Sequence, residues 1–185
     1  MIQYLRVLIS VLFVSTLGHL NAEELVENGD FSRGDRKWDI SGKADIENEE
    51  KPELTVELHK RKWTFVEQQL DYGRDLPVRI DLVLEVRASD DFKPLESSDM
   101  YSNVDFKMGG NYRWTGVVQP KAHVLIRVEG YGRWYYFPRK LKAGADWQKI
   151  KVNVSELKLE EGMITIGFPP GEGTATLRKV SVSKS

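Results

Sequence analysis

The stretch VRIDLVLEVR, Val78 to Arg87, sets Val78, Ile80, Leu82, Leu84 and Val86 on one side and Arg79, Asp81, Glu85 and Arg87 on the other. Successive side chains of an extended chain point to opposite faces, so this pattern buries one face of a strand and wets the other. A helix would scatter the five aliphatic residues around its circumference. Shorter copies recur in ELTVELH (Leu54, Val56, Leu58), HVLIRVE (Val124, Ile126, Val128), QKIKVNV (Ile150, Val152, Val154) and MITIGF (Ile164, Ile166, Phe168). No window of a dozen or more residues keeps a helical period. Turn-type punctuation separates the runs, as in SGKAD, DYGRDLP, MGGNY, EGYGRW, KAGADW and PPGEGT. Many short strands at such intervals predict an all-β chain, a sandwich or a barrel, because parallel βαβ units need helices between strands.

Two segments depart from the simple pattern. In TATLRKVSVS the inward residues are Ala175 and Leu177 and then Val180 and Val182, so the buried face changes parity. A bulge or a crossing between sheets near Arg178 and Lys179 is required. Ser89 to Gly110, SDDFKPLESSDMYSNVDFKMGG, is the least regular part of the chain, and loops of that length in compact domains are often functional or mobile.

The first residues, MIQYLRVLISVLFVSTLGHLNA, place one cation, Arg6, before an apolar run from Val7 to Leu17 that is short for a permanent span. This is the shape of a secretory signal over residues 1–22, cut before Glu23 or after Gly18, with retention as an anchor the alternative. Residues 23–185 then form one domain with enough length for a hydrophobic core. The chain has no cysteine, which excludes thiol nucleophiles and thiolate zinc sites and suits a secreted, periplasmic or cell-envelope protein of a bacterium. Its 27 Lys and Arg against 28 Asp and Glu supply no general field for nucleic acid. No stable membrane span is expected once the signal is removed.

LVENGDFSRGDRKW, Leu25 to Trp38, closely resembles the opening of secreted carbohydrate-binding modules with a galactose-binding-like jelly-roll fold, particularly families four and nine. The likeness continues in order through WTFVEQQL, VRIDLVLEVRAS, ADWQKIKVNV and GTATLRKVSVS, over nearly the whole of residues 23–185. It implies an antiparallel β-sandwich of jelly-roll type that binds a poly- or oligosaccharide. In ENGDF, the Asn-Gly pair favours a tight turn with positive φ, Asp30 can bond nearby amides, and Phe31 returns the chain to the core. Trp38 and Trp147 read as core or core-rim residues. Where the family commonly closes with an Asp pair that helps to hold a structural calcium, this chain carries Arg178 and Lys179, which disfavour the ion; no other cofactor or metal is expected, and a salt bridge from this site to an acidic residue near the N-terminus is a reasonable replacement.

Sugars present C–H patches and hydroxyls, so a site needs flat rings for stacking and a few polar partners for orientation. YGRWYYFPRK, Tyr131 to Lys140, supplies rings on both faces of a strand: Trp134 and Tyr136 on one, Tyr135 and Phe137 on the other, of which at most one pair belongs in the core. Pro138 with Arg133, Arg139 and Lys140 marks an edge strand or strand end. Tyr112 and Trp114 in GGNYRW project together if that stretch is extended. The ligand-binding residues expected are therefore Tyr112, Trp114, Trp134 and Tyr136, aided by Tyr131, Arg127 and Gln68. Arg127, Arg133, Arg139 and Lys140 also suggest preference for an acidic glycan, although a solvated basic edge is the ordinary account.

No catalytic residues are assigned. Asp90, Asp91, Glu96, Asp99 and Asp105 gather near the irregular segment, yet loop carboxylates usually serve solubility, and His59 and His123 have no metal-ligand spacing. The chain lacks a GxSxG elbow, a P-loop and a GxGxxG followed by a helix. The expected function is thus non-catalytic carbohydrate binding, with an extracellular enzyme or envelope protein as a further partner. The alternatives are a protein-interaction or adhesion module and, second, a glycoside hydrolase or polysaccharide lyase.

Overall fold

The computed structural model describes residues 22–47, 50–95, 104–107, 113–116, 122–130 and 133–184, with the backbone alone for 104–107, 113–116, 133 and 145. Residues 1–21, on which the signal segment falls, lie outside the described residues, as do Tyr112, Tyr131, Glu96 and Asp99.

The described strands are β1 (Glu23–Glu24), β2 (Asp39–Ser41), β3 (Ala44–Glu47), β4 (Glu53–Glu57), β5 (Thr64–Asp71), β6 (Val78–Ala88), β7 (Lys93–Pro94), β8 (Val104–Lys107), β9 (Arg113–Gly116), β10 (Val124–Gly130), β11 (Arg133–Arg139), β12 (Gly144–Leu157), β13 (Glu161–Phe168), β14 (Gly171–Glu172) and β15 (Thr174–Lys184). They form two antiparallel sheets, a six-stranded one ordered β12-β6-β15-β4-β3 with β1 beside β15, and a five-stranded one ordered β11-β10-β13-β5-β2. Two short ribbons, β14-β7 and β8-β9, accompany them. The segment read as irregular therefore carries the strands β7 and β8.

One core lies between the sheets. Val78, Ile80, Leu82, Leu84 and Val86 of β6 face Val66 and Leu70 of β5, Ile126 and Val128 of β10, and Ile164, Ile166 and Phe168 of β13 in one buried cluster. The inward residues expected in β4, β10, β12 and β13 all belong to it. Full burial of each such side chain contributes roughly 1.5–3 kcal/mol.

The parity change in the last strand is a bulge. β15 pairs Leu177 with Val86 and Lys179 with Glu85, which leaves Arg178 as the extra residue and turns Val180 and Val182 back to the core. The Arg178 guanidinium bonds Glu85 of β6 at 2.7 Å, so its carboxylate partner comes from the middle of the sheet and not from the N-terminal segment. Trp147 sits outside the core, half-buried, with the Arg178 and Arg87 guanidinium carbons 4.3 and 4.9 Å from its ring centroid.

The opening loop is fastened from within. Asn28, at φ 56°, donates through Nδ2 to the carbonyls of Gly34 and Arg36 and accepts from Arg33 N–H, while its own carbonyl accepts from Trp38 Nε1. Phe31 is fully buried and tilts against Trp38 with ring centroids 5.7 Å apart. Gly29 lies where a Cβ would stand 1.9 Å from the Val180 carbonyl oxygen, so only glycine permits this approach to β15.

Candidate functional site

On the five-stranded sheet the residues that turn away from the core line up in register. Asp39, Glu67, Thr165, Arg127 and Tyr136 are successive cross-strand partners and form a polar rung across all five strands. One rung along lie Ser41, Phe65, Gly167, Leu125 and Pro138, and on the other side Gln69 pairs with Met163 and Glu129 with Trp134. Alternation along each strand places these residues together on the outer face, while Tyr135 and Phe137 turn inward against the core.

Arg127 is the hub of the face. Its side chain is 3% exposed, and Nη2 donates to Glu67 Oε1 at 3.1 Å and to Thr165 Oγ1 at 2.9 Å. Thr165 Oγ1 donates in turn to the same Glu67 oxygen at 2.6 Å. The guanidinium carbon stands 4.5 Å from the Trp134 ring centroid and 5.6 Å from that of Phe65. Phe65 stacks nearly parallel to Trp63, with centroids 6.1 Å apart and planes at 7°. Burial lowers the Arg127 pKa to about 10, against the raising effect of Glu67. Burial likewise pushes the Tyr136 phenol up to about 12, opposed by the neighbouring guanidinium. Glu129 is raised by burial, although the Met163 backbone and Arg127 pull it down. Exposure across the face is uneven: Trp63, Phe65 and Glu67 are half-buried and reach its surface, whereas Trp134, Arg127, Thr165 and the Tyr136 hydroxyl are buried.

The structure brings Arg127, Trp134 and Tyr136 together. It does not bring Gln68 to them: the side chain is buried on the other side of β5, where Oε1 accepts from Glu27 N–H at 2.7 Å and Nε2 donates to Glu27 O at 2.8 Å. Trp114 lies in β9, described by its backbone alone, and Tyr112 and Tyr131 lie outside the described residues. Glu67, Thr165, Phe65 and Trp63 complete the face and were missed by sequence reasoning. Their signal was the odd-numbered parity of Trp63, Phe65 and Glu67, one residue off Gln68.

Asp30 Oδ1 accepts from Ser32 N–H and Oγ–H, the Asn28 side chain is used inside the loop, and Arg178 is held by Glu85. Among the described residues no three His, Asp or Glu side chains converge. A cavity of about 640 Å³ lies not on the sheet face but at one end of the sandwich, beside Phe92 and His123.

Two antiparallel sheets in this order around one core have the jelly-roll fold of carbohydrate-binding modules. The chain is similar in structure to a family 61 module solved with β-1,4-galactotriose, with TM-score 0.59 and 11% identity over 89% of this chain and 100% of that one. It is similar to the CBM22-1 xylan-binding domain of Paenibacillus barcinonensis Xyn10C, with TM-score 0.54 and 13% identity over 88% of this chain and 95% of that one. The enzymatically active domain of tailspike protein 4 from bacteriophage CBA120 also matches, with TM-score 0.56 and 8% identity over 88% of this chain and 21% of that one. No protein-family model matches the chain, and no match was found among curated proteins.

Proposed function

We propose that the protein is an exported, non-catalytic carbohydrate-binding module whose saccharide lies across the outer face of the five-stranded sheet. The observation that carries this reading is the polar rung of Glu67, Thr165, Arg127 and Tyr136, flanked by Trp134 on one side and by the Phe65 and Trp63 pair on the other. The half-buried Phe65 and Trp63 rings meet the C–H side of a pyranose, Glu67 offers an acceptor to its hydroxyls, and the buried Trp134, Arg127 and Thr165 hold that surface in place from beneath. Because the buried Arg127 and Thr165 hold Glu67, its carboxyl group is oriented before a ligand arrives, which reduces the ordering cost of binding. Stacking at ~1 kcal/mol per ring beyond area burial gives a micromolar to millimolar Kd. Tyr112, Trp114 and Tyr131 extend this proposal from the sequence alone, and the apolar N-terminal run supports export. The Asn28, Arg178 and Glu85 contacts allow the loop and bulge to close without calcium in this reading.

A second reading, hydrolysis or lysis of the bound glycan, is favoured by the likeness to the tailspike enzymatic domain. A glycan array combined with a reducing-end assay on the same hits separates the two. Binding without product is expected; product would replace the module with an enzyme, and binding to no glycan would remove carbohydrate from the account.

A further inference from the structure

At one end of the sandwich, Lys60, Phe92, Lys93, Pro94, Leu95 and His123 surround the cavity of about 640 Å³. It adjoins a second cavity of about 370 Å³ that shares Lys60, Gly171 and Glu172 with it and adds His59 and Arg61. The frame is rigid: Leu95 N–H donates to Pro170 O at 2.8 Å, Gly171 N–H donates to His59 O at 3.1 Å, and β7 pairs with β14 through Pro94 and Gly171. A Cβ on Gly171 would stand 2.6 Å from the Lys93 carbonyl oxygen, so the two walls meet at a glycine. His59 Nδ1 accepts from both Arg61 N–H and Lys62 N–H, which fixes the turn that presents the cations.

The charge is one-sided. Glu57, on the rim of the second cavity, is held by Lys43 at 2.5 Å, and Lys60, Arg61 and Lys93 have no ion-pair partner among the described residues. That leaves Glu172 facing three exposed cations over an apolar floor of Phe92, Pro94 and Leu95, the last 45% exposed. His123 is tied to the Leu141 backbone through Nδ1, and its buried Nε2 has no hydrogen-bond partner among the described residues. On the sheet face, by contrast, Arg127 is committed to Glu67.

We infer that this end cleft is a second saccharide site, separate from the sheet face, that takes an acidic sugar unit. Phe92, Pro94 and Leu95 meet the ring, while Lys60, Lys93 and Arg61 meet its carboxylate or sulfate. The volume lies in the range that holds a small ligand, about 300–1,000 Å³. The saccharide class rests on the function proposed above; the location and the acid selectivity rest on the cleft alone.

The test is calorimetric titration of the wild type, of Lys60→Ser/Lys93→Ser and of Trp134→Ala with four probes: trigalacturonate, a sulfated disaccharide, a neutral galacto- or xylotriose, and inorganic sulfate. The double variant is expected to bind at least one acidic probe about tenfold more weakly and neutral triose unchanged, while Trp134→Ala keeps acidic binding. The two acidic probes tell carboxylate from sulfate as the group recognised. Rising salt should weaken acidic binding alone. Undiminished acidic binding by the double variant, no acidic binding by the wild type, or inorganic sulfate binding as tightly as the sugars would overturn the site. Lysine-dependent acidic binding without neutral binding would sustain it and would instead remove the sheet face from the proposed function.

Discussion

The Arg127 guanidinium lies 4.5 Å from the centroid of the Trp134 ring, diagonal to it across β10 and β11, while its Nη2 holds Glu67 two strands away. One buried cation thus ties four strands of the five-stranded sheet to a single outer face. Replacing it separates the consequences for stability from those for binding.

Arg127→Met removes the partner of Glu67 and leaves a partly buried carboxylate with Thr165 alone. Breaking such a pair typically costs about 3 kcal/mol. Denaturant titration should show a loss of this order, and Arg127→Met/Glu67→Gln should recover most of it. A single-variant loss below ~1 kcal/mol would contradict the role given to the pair.

Gly167 lies beneath the stacked rings of the face. A Cβ there would meet Phe65 Cε1 at 3.0 Å, Phe65 Cδ1 at 3.1 Å and Trp63 Cε3 at 3.4 Å. All three are side-chain atoms, so Gly167→Val is expected to displace the rings rather than the backbone. Affinity electrophoresis on the polysaccharide found by the array should show binding about tenfold weaker with little change in melting temperature. Unchanged retention would place the sugar elsewhere.

Glu129 gives the sign of a pH effect. Burial raises its folded pKa, so between the ordinary glutamate value of about 4.3 and that raised value the folded chain holds a proton that the unfolded chain has released. Its contribution is present at low pH and is lost as pH rises through the folded value. Glu129→Gln, neutral throughout, should therefore melt higher than the wild type at pH 7, with the difference fading below about pH 4. Equal melting temperatures at neutral pH would show that burial does not penalise this carboxylate.

The Arg87 and Arg178 guanidinium groups both lie over the Trp147 ring, and these two cations are paired with Glu53 and Glu85. Trp147→Ala loses both cation-π contacts and is expected to cost about 1–2 kcal/mol in thermal or chemical unfolding. Sugar binding should be untouched, since the ring lies on the other sheet. A tenfold or greater loss of sugar binding in this variant would assign Trp147 to a ligand.

Alternation alone determined the class of fold, the inward residues of β6 and the parity change at Arg178, because a period of two is a local property of an extended chain. It also determined that Trp134 and Tyr136 must part from Tyr135 and Phe137. Which pair would face outward, and which residues from distant strands would join it, were decided by pairing. Register brought Glu67 and Thr165 beside Arg127 and sent Gln68, one residue away, to the opposite face to hold Glu27. The end cleft has the same origin: Lys60, Lys93 and His123 are far apart in the chain and meet only where β7 pairs with β14. Local sequence sets which way a side chain points, whereas its neighbours across a sheet depend on long-range hydrogen bonding that no single stretch contains.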